Sequence, residues 1–177
     1  NTPATIQEVA SGMDEVDYSQ VSEYLTSAES ELAQSIAKYG LVDAPEESYV
    51  MDCVARVPGV IAVAAATEET DTNNLLGKAG SYYARIVFSY ELVGNSSAQG
   101  ANLVAQGTDC GGSIEVFNTA EDAEKRSVYL GAFDGTVFAS GSHTVIGTVL
   151  VRTSDKLTTS QQKELEANII EILTTVS

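Results

Sequence analysis

Three oxygen-bearing side chains alternate in a polar segment between two apolar runs: Glu69, Asp71 and Asn73. Hard cations bind several oxygen ligands, and alternate side chains of one turn can converge on a single ion. The order resembles the start of an EF-hand loop, but Asn74 stands in place of its glycine and the final glutamate is missing. The segment therefore allows a calcium site, with calcium as the one cofactor to consider, or a plain polar hairpin loop.

His143 is the only histidine, and it follows Gly141 and Ser142 in a segment typical of a hairpin loop. A histidine with nearby carboxylates and a serine could support hydrolysis, since the members of such a triad need not be adjacent in sequence. No nucleophile-elbow motif accompanies it. The sequence therefore assigns no catalytic residue, and an exposed turn histidine is the alternative.

The two cysteines, Cys53 and Cys110, can form one disulfide bond or remain as two small buried side chains. If bridged, they would tie the second predicted helix to the turn before strand 113–117. No CxxC motif is present, which argues against zinc. The segment Thr108–Gly112 could be a backbone nest for an anion, but a tight turn leading into a strand fits it better.

Charge excludes several classes of partner. The 177 residues include 25 acidic and 9 basic ones, for a formal net charge of −16. Binding to nucleic acid or to anionic lipid requires clustered Lys and Arg, so neither partner is expected. No apolar run reaches the ~18–20 residues of a membrane span, so we expect no direct membrane insertion of this segment.

Hydrophobic periodicity predicts the elements of the first half. Residues 1–16 are small and polar and are interpreted as a linker. A helix is predicted from Asp17 to Tyr39, because apolar residues recur at three, four and seven positions and form one stripe that would pack on the core. The further predictions are a helix at 45–57, strands at 60–67 and 82–93, and a connection at 94–107 with a weak strand or turn at Leu103 and Val104.

The second half carries the most consistent local signals. Strand 113–117 is followed by helix 119–133, which Asn118 or Thr119 would cap. Strands 136–140 and 145–153 follow, and a helix from Leu157 onward opens with the capping-box pair Thr158 and Gln161. We expect this last helix to bury one apolar stripe against strands 113–117, 136–140 and 145–153: Leu165, Ile169, Ile172 and Leu173.

These elements predict an α+β fold with an antiparallel sheet of about five strands and helices mainly on one face. The C-terminal half reads as a ferredoxin-like βαββα unit that a strand from the first half could complete. Residues 17–177 are interpreted as a single α+β domain, in which the order helix-strand-strand recurs as two pseudo-repeated halves, 45–93 and 113–177.

Several segments resemble a pattern found in uncharacterised lipoproteins and secreted proteins of Gram-positive bacteria. The pattern covers roughly residues 45–175, and the segments that carry it are Val57–Val60, Asn73–Leu75, Ser113–Phe117, Glu121–Arg126, Ser140–Val145, Gly147–Arg152 and Ser160–Lys163. No activity comes with this resemblance. It implies a location at the cell envelope, either secreted or anchored on the outer face as a lipoprotein.

Taken together, the sequence favours a non-catalytic extracellular binding or interaction module, with an unknown protein or a cell-wall component as its partner. The first alternative is a hydrolase that uses His143 with nearby carboxylates. The second is a calcium-stabilised structural domain. The scattered polar residues favour the module, because they bring no acid, base and nucleophile together in sequence.

Overall fold

The structure is a computed structural model that describes residues 18–93, 100–136 and 141–175. The chain divides into two compact units, Asn1–Ala37 and Lys38–Ser177. Helix α1 (Ser19–Gly40) contains nearly all the described residues of the first unit, and it confirms the predicted helix. None of its residues is buried, and the packing of its apolar stripe on the core stays a prediction. The predicted linker lies outside the described residues.

The second unit contains all the strands found in the described residues. Its elements are α2 (Glu47–Ala55), β1 (Val60–Ala65), β2 (Ala84–Tyr90), α3 (Ala101–Gln106), a short 3₁₀ helix (Gly107–Cys110), β3 (Gly111–Val116), α4 (Ala120–Gly131), β4 (His143–Ile146), β5 (Val149–Thr153) and α5 (Thr159–Leu173). The strands form one five-stranded antiparallel sheet in the order β1-β2-β3-β5-β4. This confirms the α+β fold, and β2 is the strand that completes the sheet of the C-terminal βαββα unit.

Helices cover both faces of the sheet rather than mainly one. The face that bears Ile86, Phe88, Ile114 and Val151 packs under α2 and α5, and we call it the apolar face. The opposite face bears Arg85, Glu115 and Arg152, with α3 over β1 and β2 and α4 over β4 and β5; we call it the charged face. Because β2, β3 and β5 are buried on both sides, a single helical layer could not cover them.

The helix ends follow the predicted capping chemistry. Thr119 caps α4, and its hydroxyl oxygen accepts a hydrogen bond from the amide of Asp122 at 3.1 Å. Thr158 and Gln161 form the complete capping box of α5. The stripe of α5 is buried as expected at Leu165, Ile169 and Leu173, whereas Ile172 is only partly buried.

The predicted strand at 145–153 is in fact a hairpin. Gly147 and Thr148 form a two-residue turn between β4 and β5. Gly147 has a φ of +58°, and a Cβ atom there would lie 2.3 Å from the carbonyl oxygen of Val42. Glycine is therefore required at this turn. His143 consequently starts β4 instead of lying in a loop. Thr136, the first residue of the predicted strand 136–140, lies in a bend, and the other four residues of that strand fall outside the described residues.

The connection between the halves contains an unpredicted helix. Leu103 and Val104, for which the sequence predicts a weak strand or turn, belong to α3. Gly100 and Gly107 bound this helix with φ values of +56° and +58°. Leu103 and Val104 are buried against the charged face of β2, beside Val87 and Cys110. A six-residue helix contains too few turns to show a clear period in sequence.

Candidate functional site

A fully buried carboxylate lies between two arginines on the charged face. The Oε2 atom of Glu115 accepts a hydrogen bond from Nε of Arg126 at 2.9 Å, and Oε1 accepts one from Nη1 of Arg152, also at 2.9 Å. The side chain of Glu115 has no exposed area, while those of Arg126 and Arg152 are 13% and 8% exposed. Two guanidinium groups thus face one carboxylate, so the formal charge of this group is positive within a strongly acidic protein.

The sheet register and helix α4 position these groups. Arg152 pairs with Ser113 across β3 and β5, which places its side chain on the same face as Glu115, two residues further along β3. Arg126 lies on the second turn of α4, which begins at the Thr119 cap. Burial alone lowers the pKa of the Arg126 guanidinium, but the charge and hydrogen bonds of Glu115, together with the nearby Tyr82 and Tyr129, raise it overall. The guanidinium therefore stays protonated.

A second ion pair adjoins the first. Arg85 is the β2 partner of Glu115 in the register, and its Nη1 donates to Oδ1 of Asp71 at 3.0 Å. The Tyr82 hydroxyl and the amides of Leu75 and Leu76 also donate to this carboxylate. Burial raises the pKa of the Asp71 carboxyl, but these donors together lower it below its ordinary value. Asp71 thus holds the 68–81 loop onto the sheet as an anion.

The two arginines beside Glu115 also line an open pocket of about 660 Å³. We call it the arginine pocket, and its lining consists of Asn73, Leu75, Arg126, Tyr129, Leu130, Phe133 and Arg152. The guanidinium carbon of Arg126 lies 5.5 Å from the centre of the Tyr129 ring, within cation–π range. The rings of Tyr129 and Phe133 meet edge to face at 5.3 Å. The pocket therefore combines aromatic and aliphatic walls with positive charge.

The three residues considered for calcium do not assemble as ligands. The Asp71 oxygens accept hydrogen bonds from an arginine, a tyrosine and backbone amides, as described above. Asn73 directs its amide nitrogen at the Tyr82 hydroxyl at 3.0 Å, and Glu69 is exposed. Across residues 18–93, 100–136 and 141–175, no cluster of three or more His, Cys, Asp or Glu side chains is close enough to hold a metal ion. Asp71 instead organises the loop through Arg85.

His143 does have a serine and an acid beside it. The Ser127 hydroxyl lies 3.0 Å from Nδ1, and Oδ2 of Asp134 lies 3.5 Å from Nε2. Ser127, however, lies inside helix α4, where the backbone amides are engaged in the hydrogen bonds of the helix. A serine in this position has no adjacent amide donors to stabilise a tetrahedral oxyanion. The arrangement therefore fits a contact that fixes β4 to α4 better than a hydrolase site.

The cysteines lie on opposite faces of the sheet. Cys53 belongs to the core under α2 and α5, and Cys110 belongs to the cluster beneath α3. Both are free, buried thiols, so the hypothetical bridge is not formed in this structure. Gly111 and Gly112, next to Cys110, allow close packing rather than anion binding. A Cβ atom on Gly112 would lie 2.4 Å from the carbonyl oxygen of Arg152 and 2.3 Å from the ring of Phe88.

Sequence reasoning missed the charged residues of this face of the sheet. Arg85, Glu115 and Arg152 each occur as a single charge within an otherwise apolar strand, and their signs are opposite in neighbouring strands. Charged side chains are almost never fully buried unless they are paired. A lone charge in each of three buried strands was thus the available signal. The sequence gave no such signal for Arg126, because other charged residues of the same helix lie on its exposed side.

Comparison with known proteins gives no further information on this site. No family model, no curated protein and no solved structure matches the chain. Among the described residues, no helix is both long and apolar enough to span a membrane.

Proposed function

We propose that this chain is a non-catalytic binding module of the bacterial cell envelope, and that the arginine pocket binds a small organic anion with an apolar body. The observation that carries the proposal is the pairing of two nearly buried arginines with one carboxylate at the wall of an aromatic pocket. Ligand pockets are typically apolar, with a few fixed polar groups that orient the ligand. Here two of the polar groups in the lining, the guanidinium groups of Arg126 and Arg152, are cationic.

The geometry of Arg126 supports an anionic ligand. Its Nε and Nη2 atoms donate to Glu115, and no described residue accepts a hydrogen bond from Nη1. A guanidinium with an unused donor at a pocket wall binds carboxylates well, because charge-assisted hydrogen bonds are about twice as strong as neutral ones. The Tyr129 ring stacked beside it offers a surface for an aromatic or aliphatic ligand body.

The envelope location rests on sequence features. The similarity to secreted and lipid-anchored proteins noted above supports it. A net charge of −16 repels most anions, so a local excess of positive charge in one pocket gives that pocket selectivity over the rest of the surface. An envelope protein with such a pocket could capture a carboxylate-bearing cell-wall fragment or metabolite.

Calorimetric titration with benzoate and benzyl alcohol tests the proposal, because the two share an aromatic body and differ in charge. We expect benzoate to bind and to raise the melting temperature, and benzyl alcohol to do neither. Tyr129→Ala should weaken benzoate binding about fivefold, which corresponds to the ~1 kcal/mol of a cation–π and ring contact.

Val128→Ala is the matched control for this titration. Val128 lies next to Tyr129 on α4, is 74% exposed and does not line the pocket. This variant should bind benzoate as the parent does. Equal binding of benzoate and benzyl alcohol, or an unchanged affinity in Tyr129→Ala, would refute the proposed role of the pocket.

A further inference from the structure

Strand β1 forms one edge of the sheet and leaves part of its backbone without a partner. Its inner side pairs with β2, and just beyond the strand the amide of Ala66 donates to the carbonyl of Arg85 at 2.8 Å. Because bonded and non-bonded residues alternate in an antiparallel pair, Ala62 and Ala64 also bond inward. The amide and carbonyl groups of Val63 and Ala65 therefore point away from the sheet, where no described residue bonds to them.

This edge has few of the features that usually prevent strand pairing. Residues Val60–Ala65 read VIAVAA, with no proline and no charge. Lysine, proline and inward-pointing charges are the common protections of an edge, and a bulge between Val60 and Ala62 is the one device present. The opposite edge, β4, is only four residues long and includes His143. The β1 edge is thus the longer and more apolar of the two.

A groove runs beside the open edge. It has a volume of about 300 Å³, and it is lined by Met51, Asp52 and Ala55 of α2 and by Val60, Ile61, Ala62 and Val63 of β1. Ile61 is 52% exposed in this groove. A chain paired with β1 would direct every second side chain toward α2, because side chains alternate across a strand. The groove has room for one or two small apolar side chains.

We propose that the β1 edge binds an extended segment of a partner protein, which adds to the sheet as a sixth strand. The backbone groups of Val63 and Ala65 determine the conformation of the occupant, because only another extended backbone offers donors and acceptors at the matching spacing. The groove beside α2 selects apolar residues at alternate positions of that segment.

Charge determines which partner is favoured. Asp52 lines the groove, Glu91 follows β2 beside the start of β1, and Glu68 and Glu69 follow its end; all four are exposed. Arg56, which is also exposed and follows α2 beside Asp52, offsets one of these charges, so the acidic excess remains. A second copy of the chain would bring a further charge of −16 to this acidic surface, which opposes self-association. A segment of another protein with Lys or Arg at its ends would be attracted instead.

Selection from a phage-displayed library of short random peptides on the immobilised full chain tests this proposal. We expect enrichment of proline-free sequences in which apolar, β-branched residues alternate with polar ones and basic residues occupy the ends. A synthetic peptide of the enriched sequence should bind in solution. It should also slow hydrogen exchange at the amides of Val63 and Ala65, which are unpaired in the free protein.

Two variants define the outcome. Ile61→Lys places a charge in the groove and should lower the affinity for the peptide at least ~tenfold. Val128→Lys, on the exposed side of α4, should leave this affinity unchanged. The proposal fails if no strand-like peptide is enriched, if both variants bind the peptide equally, or if exchange at Val63 and Ala65 is unchanged. A concentration-dependent dimer with these amides protected in the absence of peptide would assign the edge to a second copy and would also overturn it.

Discussion

The two faces of the sheet are built on different physical principles although they share the same strands. The apolar face places Ile86, Phe88 and Ile114 under α2 and α5, and every one of these side chains is fully buried. The charged face places Arg85, Glu115 and Arg152 under its own helices at nearly the same degree of burial. Strand β3 contributes to both, with Ile114 on one side and Glu115 on the other.

This difference separates the source of stability from the source of specificity. Burial of apolar area stabilises a fold without fixing directions, at about 25 cal/mol per Å². Buried ion pairs contribute little net stability, because desolvation offsets most of their attraction, yet they hold charged groups in fixed orientations. We therefore assign the stability of the fold mainly to the apolar face, and the proposed ligand recognition belongs to the charged face, where the arginine pocket opens.

Removal of the Glu115 charge should give the largest loss in the free energy of unfolding. Glu115→Gln leaves Arg126 and Arg152 buried without their counter-charge, and breaking a buried pair in this way costs about 3–5 kcal/mol. We expect urea denaturation to show this loss in the free energy of unfolding. Glu124→Gln, an exposed site on the same helix as Arg126, should leave stability within ~0.5 kcal/mol. A similar small change for Glu115→Gln would show that the charged face is not a coupled network.

On the apolar face, removal of a few methyl and methylene groups should be enough to lower the free energy of unfolding. Ile169 of α5 is fully buried in the core with Ile114 and Val151. Ile169→Ala should cost about 2–5 kcal/mol, the range of large-to-small substitutions in packed cores. Val128→Ala, at a residue that is 74% exposed, is the control for urea denaturation. If our contrast of the two faces holds, Ile169→Ala should leave benzoate affinity unchanged under native conditions, and a matching loss of affinity would contradict the contrast.

Asp71 gives the charged face a pH dependence. Its carboxyl has a folded-state pKa below the ordinary value, so the ionised form stabilises the fold above an unfolded pKa of ~3.9. This stabilisation is lost as the pH falls through the folded pKa. Asp71→Asn removes the titration and also weakens the contact with Arg85 at neutral pH.

The free energy of unfolding, measured from neutral pH down to acid, therefore distinguishes the two proteins. Below about pH 4 it should fall more steeply in the parent than in Asp71→Asn, by up to ~1.4 kcal/mol per pH unit. Parallel curves would mean that Asp71 has the same pKa in the folded and unfolded states.

The last prediction concerns the reactivity of the two thiols, Cys53 and Cys110, which lie on opposite sides of the sheet. Burial raises the pKa of the Cys110 thiol to about 11, so little thiolate forms at neutral pH. We expect a thiol reagent to detect two thiols per chain in denaturant and almost none in the folded protein at pH 7. A denatured chain without reactive thiols would demonstrate a disulfide and would require a different arrangement of the strands.

The sequence predicted the apolar face well. Strand β2 lies within the predicted range 82–93, and the stripe of α5 lies in the core where the periodicity placed it. The capping residues Thr119 and Thr158 fixed the starts of two helices correctly. These features depend on local chemistry and on a repeating pattern, which a single sequence displays directly.

The charged face was not predicted because its contacts join distant segments. Glu115 and Arg152 are 37 residues apart, and only the pairing of β3 with β5 brings them together. Asp71 was noticed, but its role depends on Arg85, whose orientation follows from the sheet register. The hairpin turn at Gly147 was missed for a similar reason, since the close approach of Val42 that requires a glycine there is a tertiary contact.

The side-chain Nε–Hε signals of arginine provide the most direct test of the central claim, that the charged face recognises anions. The chain has four arginines, so a ¹⁵N-labelled sample gives four such signals in an NMR spectrum. On titration with benzoate, we predict a saturable shift for Arg126, a smaller one for Arg152, and none for Arg56, which lies after α2 by the apolar face. An unmoved Arg126 signal, or shifts of equal size for Arg126 and Arg56, would contradict the account.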